Sequence, residues 1–89
     1  MAAITVATNY PLRENLGSVN LLIVKSSSVA DADTYASGIS GQIVGFWANA
    51  ETDEATAGDE GVNIAESSGT FTFYLKTTGA VTLYVLFRG

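Results

Sequence analysis

The sequence predicts an all-β fold: a small antiparallel β-sandwich or barrel of six or seven short strands with a C-terminal hairpin. Three observations carry that expectation. The dominant hydrophobic period is two, the repeat of a strand with distinct faces. Serine and threonine together make up 18 of the 89 residues, which suits strands with hydroxyl-bearing outer faces better than helices. The one helical candidate, residues 50–57 (AETDEATA), has an acidic first turn and a stop at Gly58 but no apolar stripe. A segment that short cannot hold a helix by itself, so it reads as a solvated loop.

The first element is a short N-terminal strand over residues 4–8, with Ile4 and Val6 on one side and Thr5 on the other. The stretch from about residue 3 to residue 8 is also a candidate arm for contacts with neighbouring copies. Residues 10–14, which include Pro11, read as a loop. Residues 18–25 (SVNLLIVK) alternate at first and then run apolar through Leu21, Leu22, Ile23 and Val24, the pattern of a strand covered on both faces. Residues 26–33 read as a loop and 33–37 (DTYAS) as a weak strand. Residues 42–50 (QIVGFWANA) form a strand in which Gly45 marks a bulge or a close backbone approach. Alternation sends one of Phe46 and Trp47 inward and leaves open which. After an acidic loop over 51–61 comes a second weak strand, 61–66 (GVNIAE).

The clearest pattern is at the end. Residues 70–76 (TFTFYLK) set Phe71, Phe73 and Leu75 against Thr70, Thr72 and Tyr74. Residues 80–88 (AVTLYVLFR) set Val81, Leu83, Val85 and Phe87 against Thr82, Tyr84 and Leu86. Thr77, Thr78 and Gly79 join them, which predicts a hairpin whose two apolar rows face one core and whose other face carries Tyr74 and Tyr84.

Composition narrows the functions available. The chain is 47% hydrophobic and only 15% charged, against about 25% charged in an average soluble domain. It has neither cysteine nor histidine. Cysteine nucleophiles, Ser-His-Asp triads and Cys/His zinc sites are therefore excluded within it. Four basic residues (Arg13, Lys25, Lys76, Arg88) against nine acidic ones give a net charge of −5, the wrong balance for neutralising nucleic-acid phosphates. The longest apolar run, residues 83–87, is far short of the ~20 residues of a spanning helix. With no basic, apolar leader at the start, the expectation is a single domain over 1–89, made in the cytoplasm, with neither nucleic acid nor membrane as partner.

Candidate chemical groups have plain alternatives. Five of the ten residues 51–60 are acidic, but their spacing departs from a calcium loop of the EF-hand type. The segment reads as a solvated tip. Asp31 and Asp33, or Glu51 and Glu54, are formally pairs of carboxylates for glycoside hydrolysis; nothing else in the chain supports an enzyme. No catalytic, cofactor or metal residue is assigned. Phe46, Trp47, Tyr74 and Tyr84 are the candidate contact residues, as aromatics that stack on a sugar or anchor a subunit.

The segment 30–40 contains Asp33, Thr34 and Tyr35, then Ser37, Gly38, Ile39 and Ser40. Followed by the strand 42–50, the acidic loop and the two C-terminal strands, it resembles small β-rich virion proteins of tailed viruses of bacteria and archaea, some of them capsid decoration or cement proteins. The resemblance covers roughly residues 15–88 in order of elements. It implies a non-enzymatic protein present in many copies, located in the virion. Its partners would be the major capsid protein and copies of itself, as a homo-oligomer, with no cofactor. Two other readings stay open: a carbohydrate- or receptor-binding module of a fibre or spike, and a ring-forming tail or adaptor component.

Overall fold

A computed structural model gives the fold and describes residues 2–50, 62–75 and 78–88. Its seven described strands are β1 (Leu12–Asn15), β2 (Asn20–Val29), β3 (Thr34–Ala36), β4 (Gln42–Ala50), β5 (Val62–Ser67), β6 (Thr70–Leu75) and β7 (Gly79–Arg88). They form a four-stranded sheet in the order β1-β2-β7-β4 and a three-stranded sheet in the order β3-β6-β5. Every strand pairing within the two sheets is antiparallel. The all-β expectation holds, in its sandwich form.

Alternation explains the core. Leu22 and Val24 of β2 and Val81, Leu83, Val85 and Phe87 of β7 point inward from the larger sheet. Phe71, Phe73 and Leu75 of β6 meet them from the smaller one. The Phe46 ring of β4 packs edge-on to Phe71, with centroids 5.2 Å apart at 73°. Each inward side chain of this size removed from water contributes roughly 1.5–3 kcal/mol, so these rows dominate the stability of a domain too small to bury much else.

Four expectations need correction. First, β6 and β7 are not a hairpin: β6 pairs with β3 and β5, and β7 with β2 and β4. In a single flat ribbon both bulky rows would look the same way and face nothing. Splitting the strands between sheets sets the rows against each other. Tyr74 and Tyr84 are therefore on different sheets, not opposite one another. The hairpins are instead β1–β2, closed across residues 16–19 by a Leu16 N–H to Val19 O bond of 2.8 Å, and β5–β6. In the latter, Ser67 faces Thr70 and the two turn residues between have positive φ, Ser68 at 52° and Gly69 at 85°. That is a type I′ turn, whose twist matches paired strands.

Second, residues 12–14 do not lie in a loop: they belong to β1, where Leu12, Arg13 and Glu14 pair with Ile23, Leu22 and Leu21. Third, the run of serines after Lys25 continues β2 rather than starting a loop. Ser26 still pairs with Val81, the register shifts, and Val29 is buried opposite Gly79. Tertiary pairing overrides the weak local signal there. Fourth, the N-terminal segment is not a regular strand. It makes isolated bridges from Ala3 to Thr34 of β3 and from Val6 to Ser26 of β2. It thereby ties β3 of the smaller sheet to β2 of the larger one. The helical candidate over 50–57 and the acidic loop lie, but for Ala50, outside the described residues.

The mid-strand glycine does mark a bulge. The β4–β7 register shifts between Ile43 and Gly45, leaving Val44 as the extra residue, bent out and exposed.

Candidate functional site

In an antiparallel sheet, residues directly opposite one another share a face. Tracing the outer face of the larger sheet this way gives a row that crosses all four strands. Leu12 faces Ile23, Ile23 faces Tyr84, and Tyr84 faces Trp47. A second row runs Glu14, Leu21, Leu86, Gly45. Leu12 is 41% exposed and Trp47 44%, and the four apolar side chains between the edges are half-buried. Trp47 and Tyr84 stack nearly parallel, centroids 5.1 Å apart at 14°. The result is a contiguous apolar surface on the outside of the sandwich, where a monomer would ordinarily place polar residues.

The opposite outer face is built differently. On the three-stranded sheet Thr34 faces Thr72, Ala36 faces Thr70, Asn63 faces Tyr74 and Ser67 faces Thr70. Hydroxyl, amide and methyl groups cover it, with Tyr74 the one large side chain among the described residues there, 46% exposed.

The four candidate aromatics therefore part company. Phe46 belongs to the core, Trp47 and Tyr84 form one stacked unit on the apolar face, and Tyr74 lies on the other side of the molecule. Reading the sequence missed Leu12, Leu21, Ile23 and Leu86 as members of the apolar face. Leu12 stands next to Pro11 and has too few alternating neighbours to signal a strand. Leu21 and Ile23 were visible as apolar but not as outward-facing, and Leu86 was placed on the side of Tyr84 without being named as a contact residue.

Charge is distributed unevenly as well. The basic residues Arg13, Lys25 and Arg88 belong to the larger sheet, which contributes one acid, Glu14. Lys25 Nζ lies 5.9 Å from the centre of the Tyr10 ring and the Arg13 guanidinium 5.3 Å from that of Phe87, so both cations also lean on aromatic surface. On β3, burial raises the Tyr35 phenol above its ordinary value, against the smaller opposing pull of Arg13.

At the Lys25 end of the face, Thr82 sits between Lys25 and Asn49. It is fully covered, and its Oγ1 has no hydrogen-bond partner among the described residues. A buried hydroxyl without a partner costs free energy. Thr82→Val is therefore expected to raise stability by up to about 1 kcal/mol, seen as a higher melting temperature. A drop of similar size would show that the hydroxyl is bonded after all.

The carboxylates near β3 serve the backbone. Asp31 Oδ1 accepts the Leu75 N–H at 3.2 Å. Asp33 Oδ2 accepts the Ala30 N–H at 2.9 Å and its Oδ1 the Ala2 N–H at 3.3 Å. Glu66 Oε2 accepts the Gly69 N–H at 2.8 Å. The bonds from Ala30 and Gly69 pin local turns, and those from Leu75 and Ala2 tie segments distant in the chain. The bond from Ala30, chiefly, lowers the Asp33 carboxyl below its ordinary 3.8. A lowered folded-state value means a contribution to stability that is complete above 3.8 and lost as pH falls through the folded value. Asp33→Asn is expected to remove part of the acid sensitivity of the fold, read as the urea midpoint between about pH 6 and about pH 3. An unchanged acid slope would contradict this role.

Comparisons with known protein families, with curated proteins and with solved structures find no match.

Proposed function

We propose that this protein is a non-enzymatic structural component of a viral particle, decorating or cementing the capsid through the outer face of its four-stranded sheet. The observation that supports the reading most is the contrast between the two outer faces. One is hydroxyl-rich and suited to water; the other presents Leu12, Ile23, Tyr84 and Trp47 in one row. Burying that row against a shell protein gains roughly 25 cal/mol per Å² of apolar surface before the costs of association. Repetition over a rigid lattice then adds avidity to contacts that are individually weak. The viral setting itself comes from the resemblance of the chain to small virion proteins.

The test is co-sedimentation with purified capsids of the encoding virus. Wild-type protein is expected to pellet with them. Tyr84→Asp, which places a carboxylate in the middle of the row, is expected to bind at least about tenfold more weakly, as loss of a buried interface anchor does, while remaining folded. Capsid binding unaffected by Tyr84→Asp, or no binding by the wild type, would overturn the proposal. If a glycan instead shifts Trp47 fluorescence, the face serves sugar recognition. The stacking of Trp47 on Tyr84 argues against this, because it occupies one flat side of each ring.

A further inference from the structure

We propose that β4 is a self-pairing edge, through which two copies of this chain join antiparallel about a two-fold axis and merge their four-stranded sheets into one sheet of eight strands. This deepens the proposed function, which calls for contacts between copies, by naming the edge that makes them.

Among the described residues the sandwich has four edge strands: β1, β4, β3 and β5. An edge strand exposes unpaired N–H and C=O groups, and proteins block such edges with charges, proline, shortness or a covering segment. Three of the four are blocked. β1 is four residues long and exposed, with Arg13 and Glu14 on it. β3 is three residues long, and the N-terminal segment lies along it, with bonds from Ile4 N–H to Thr34 O (2.9 Å) and from Thr34 N–H to Ala2 O (2.8 Å). β5 carries Glu66.

β4 differs in length and charge, although β5 of the other sheet approaches it. It is nine residues long, QIVGFWANA, with neither a charge nor a proline. Among the described residues no strand pairs with its free side. The Val44 bulge interrupts only its beginning, and from Gly45 onward the ladder with β7 is regular. The strand also carries Trp47, the outer end of the apolar row.

Continuity of the apolar row selects a register. A two-fold antiparallel pairing that uses all of residues 45–49 centres on Trp47. The two Trp47 side chains then stand directly opposite each other, Phe46 faces Ala48, and Gly45 faces Asn49, so that the least bulky position meets the exposed amide. In that register the row from Leu12 to Trp47 continues into its copy, and the apolar face doubles in width without a break. A stable contact normally buries well over 1,000 Å², more than backbone pairing of five residues supplies, so the dimer is expected to be weak and to form in the micromolar-to-millimolar range.

Sedimentation velocity over roughly three decades of concentration tests this with the intact chain. Wild-type protein is expected to move from 9.3 kDa toward twice that mass. Trp47→Lys and Trp47→Glu each place like charges opposite one another and are expected to weaken self-association at least about tenfold. An equimolar mixture of the two is expected to restore the dimer, a result that misfolding cannot produce. Leu12→Asp, at the far edge, is expected to impair capsid docking and leave dimerisation intact, so that failure of the docking role and failure of the pairing are separable. The proposal is overturned if the wild type stays monomeric throughout, if either Trp47 variant dimerises like the wild type, if the mixture stays monomeric, or if Leu12→Asp abolishes the dimer.

Discussion

Replacing Phe73 with aspartate is expected to give a chain that does not fold. Phe73 is 1% exposed, in the middle of the central strand of the smaller sheet. Its N–H bonds Asp33 O at 2.8 Å and its carbonyl accepts the Ala32 N–H at 2.7 Å, while Ile64 faces it across the hairpin. Loss of a buried Phe ring costs about 3–5 kcal/mol, and a carboxylate in its place adds the penalty of an unpaired buried charge. A domain of this length has roughly 4–13 kcal/mol of stability in all. The far-UV circular dichroism of Phe73→Asp should therefore show no cooperative melting transition. The milder Phe73→Leu should fold and melt at a lower temperature, having lost about 1–2 kcal/mol. An aspartate variant with the melting temperature of the wild type would place this ring outside the core.

The second large effect is expected at the β5–β6 turn. Gly69 has φ of +85°, and a Cβ built there would lie 3.1 Å from the carbonyl oxygen of Ile39 and 3.5 Å from Ser37 Oγ. That approach is structural: the Ser37 N–H and hydroxyl both donate to the Gly69 carbonyl, at 2.9 and 2.6 Å, and Ser37 Oγ accepts the Ile39 N–H at 3.2 Å. Through these bonds the turn of the smaller sheet is fastened to the segment leading into β4. Gly69→Ala meets both the left-handed backbone penalty, about 1–2 kcal/mol, and a contact with the Ile39 carbonyl oxygen tighter than ordinary packing, which that backbone must yield to relieve. A total near 2–3 kcal/mol should lower the melting temperature by about 8–20 °C. Gly17 is the control, because its φ is +88° but nothing lies within 4 Å of the added Cβ. Gly17→Ala should cost the backbone penalty and no more. Equal losses at the two positions would mean that the Ile39 carbonyl gives way and that the turn is not clamped.

Much of the strand content was legible because alternation is a local property. The inward rows of β6 and β7 could be read directly, since Phe71, Phe73, Leu75 and Val81, Leu83, Val85, Phe87 stand two apart. So could the bulge at Gly45. The elements that escaped are those kept extended by their partner strand rather than by their own alternation. Leu12 and Glu14 take strand geometry because Ile23 and Leu21 lie beside them, and the serines after Lys25 stay extended because β7 continues alongside.

The candidate site shows the same division. Aromatic contact residues could be nominated from their position in strands, yet alternation leaves the sign of each face undetermined. It says that Phe46 and Trp47 point to opposite sides, not which side is wet. The packing of Phe46 on Phe71 across the sandwich settles that, and Trp47 is left to stack on Tyr84 outside.

By itself, then, the sequence determined that this is a charge-poor, all-β chain without cysteine or histidine, and which side chains share a face within each strand. Only the tertiary structure decided which strands are neighbours, that the last two strands belong to opposite sheets, and that Leu12, Ile23, Tyr84 and Trp47 line up on one outer surface. The physical reason is that a period of two is written in adjacent residues, whereas strand order comes from burying apolar rows contributed by segments far apart in the chain.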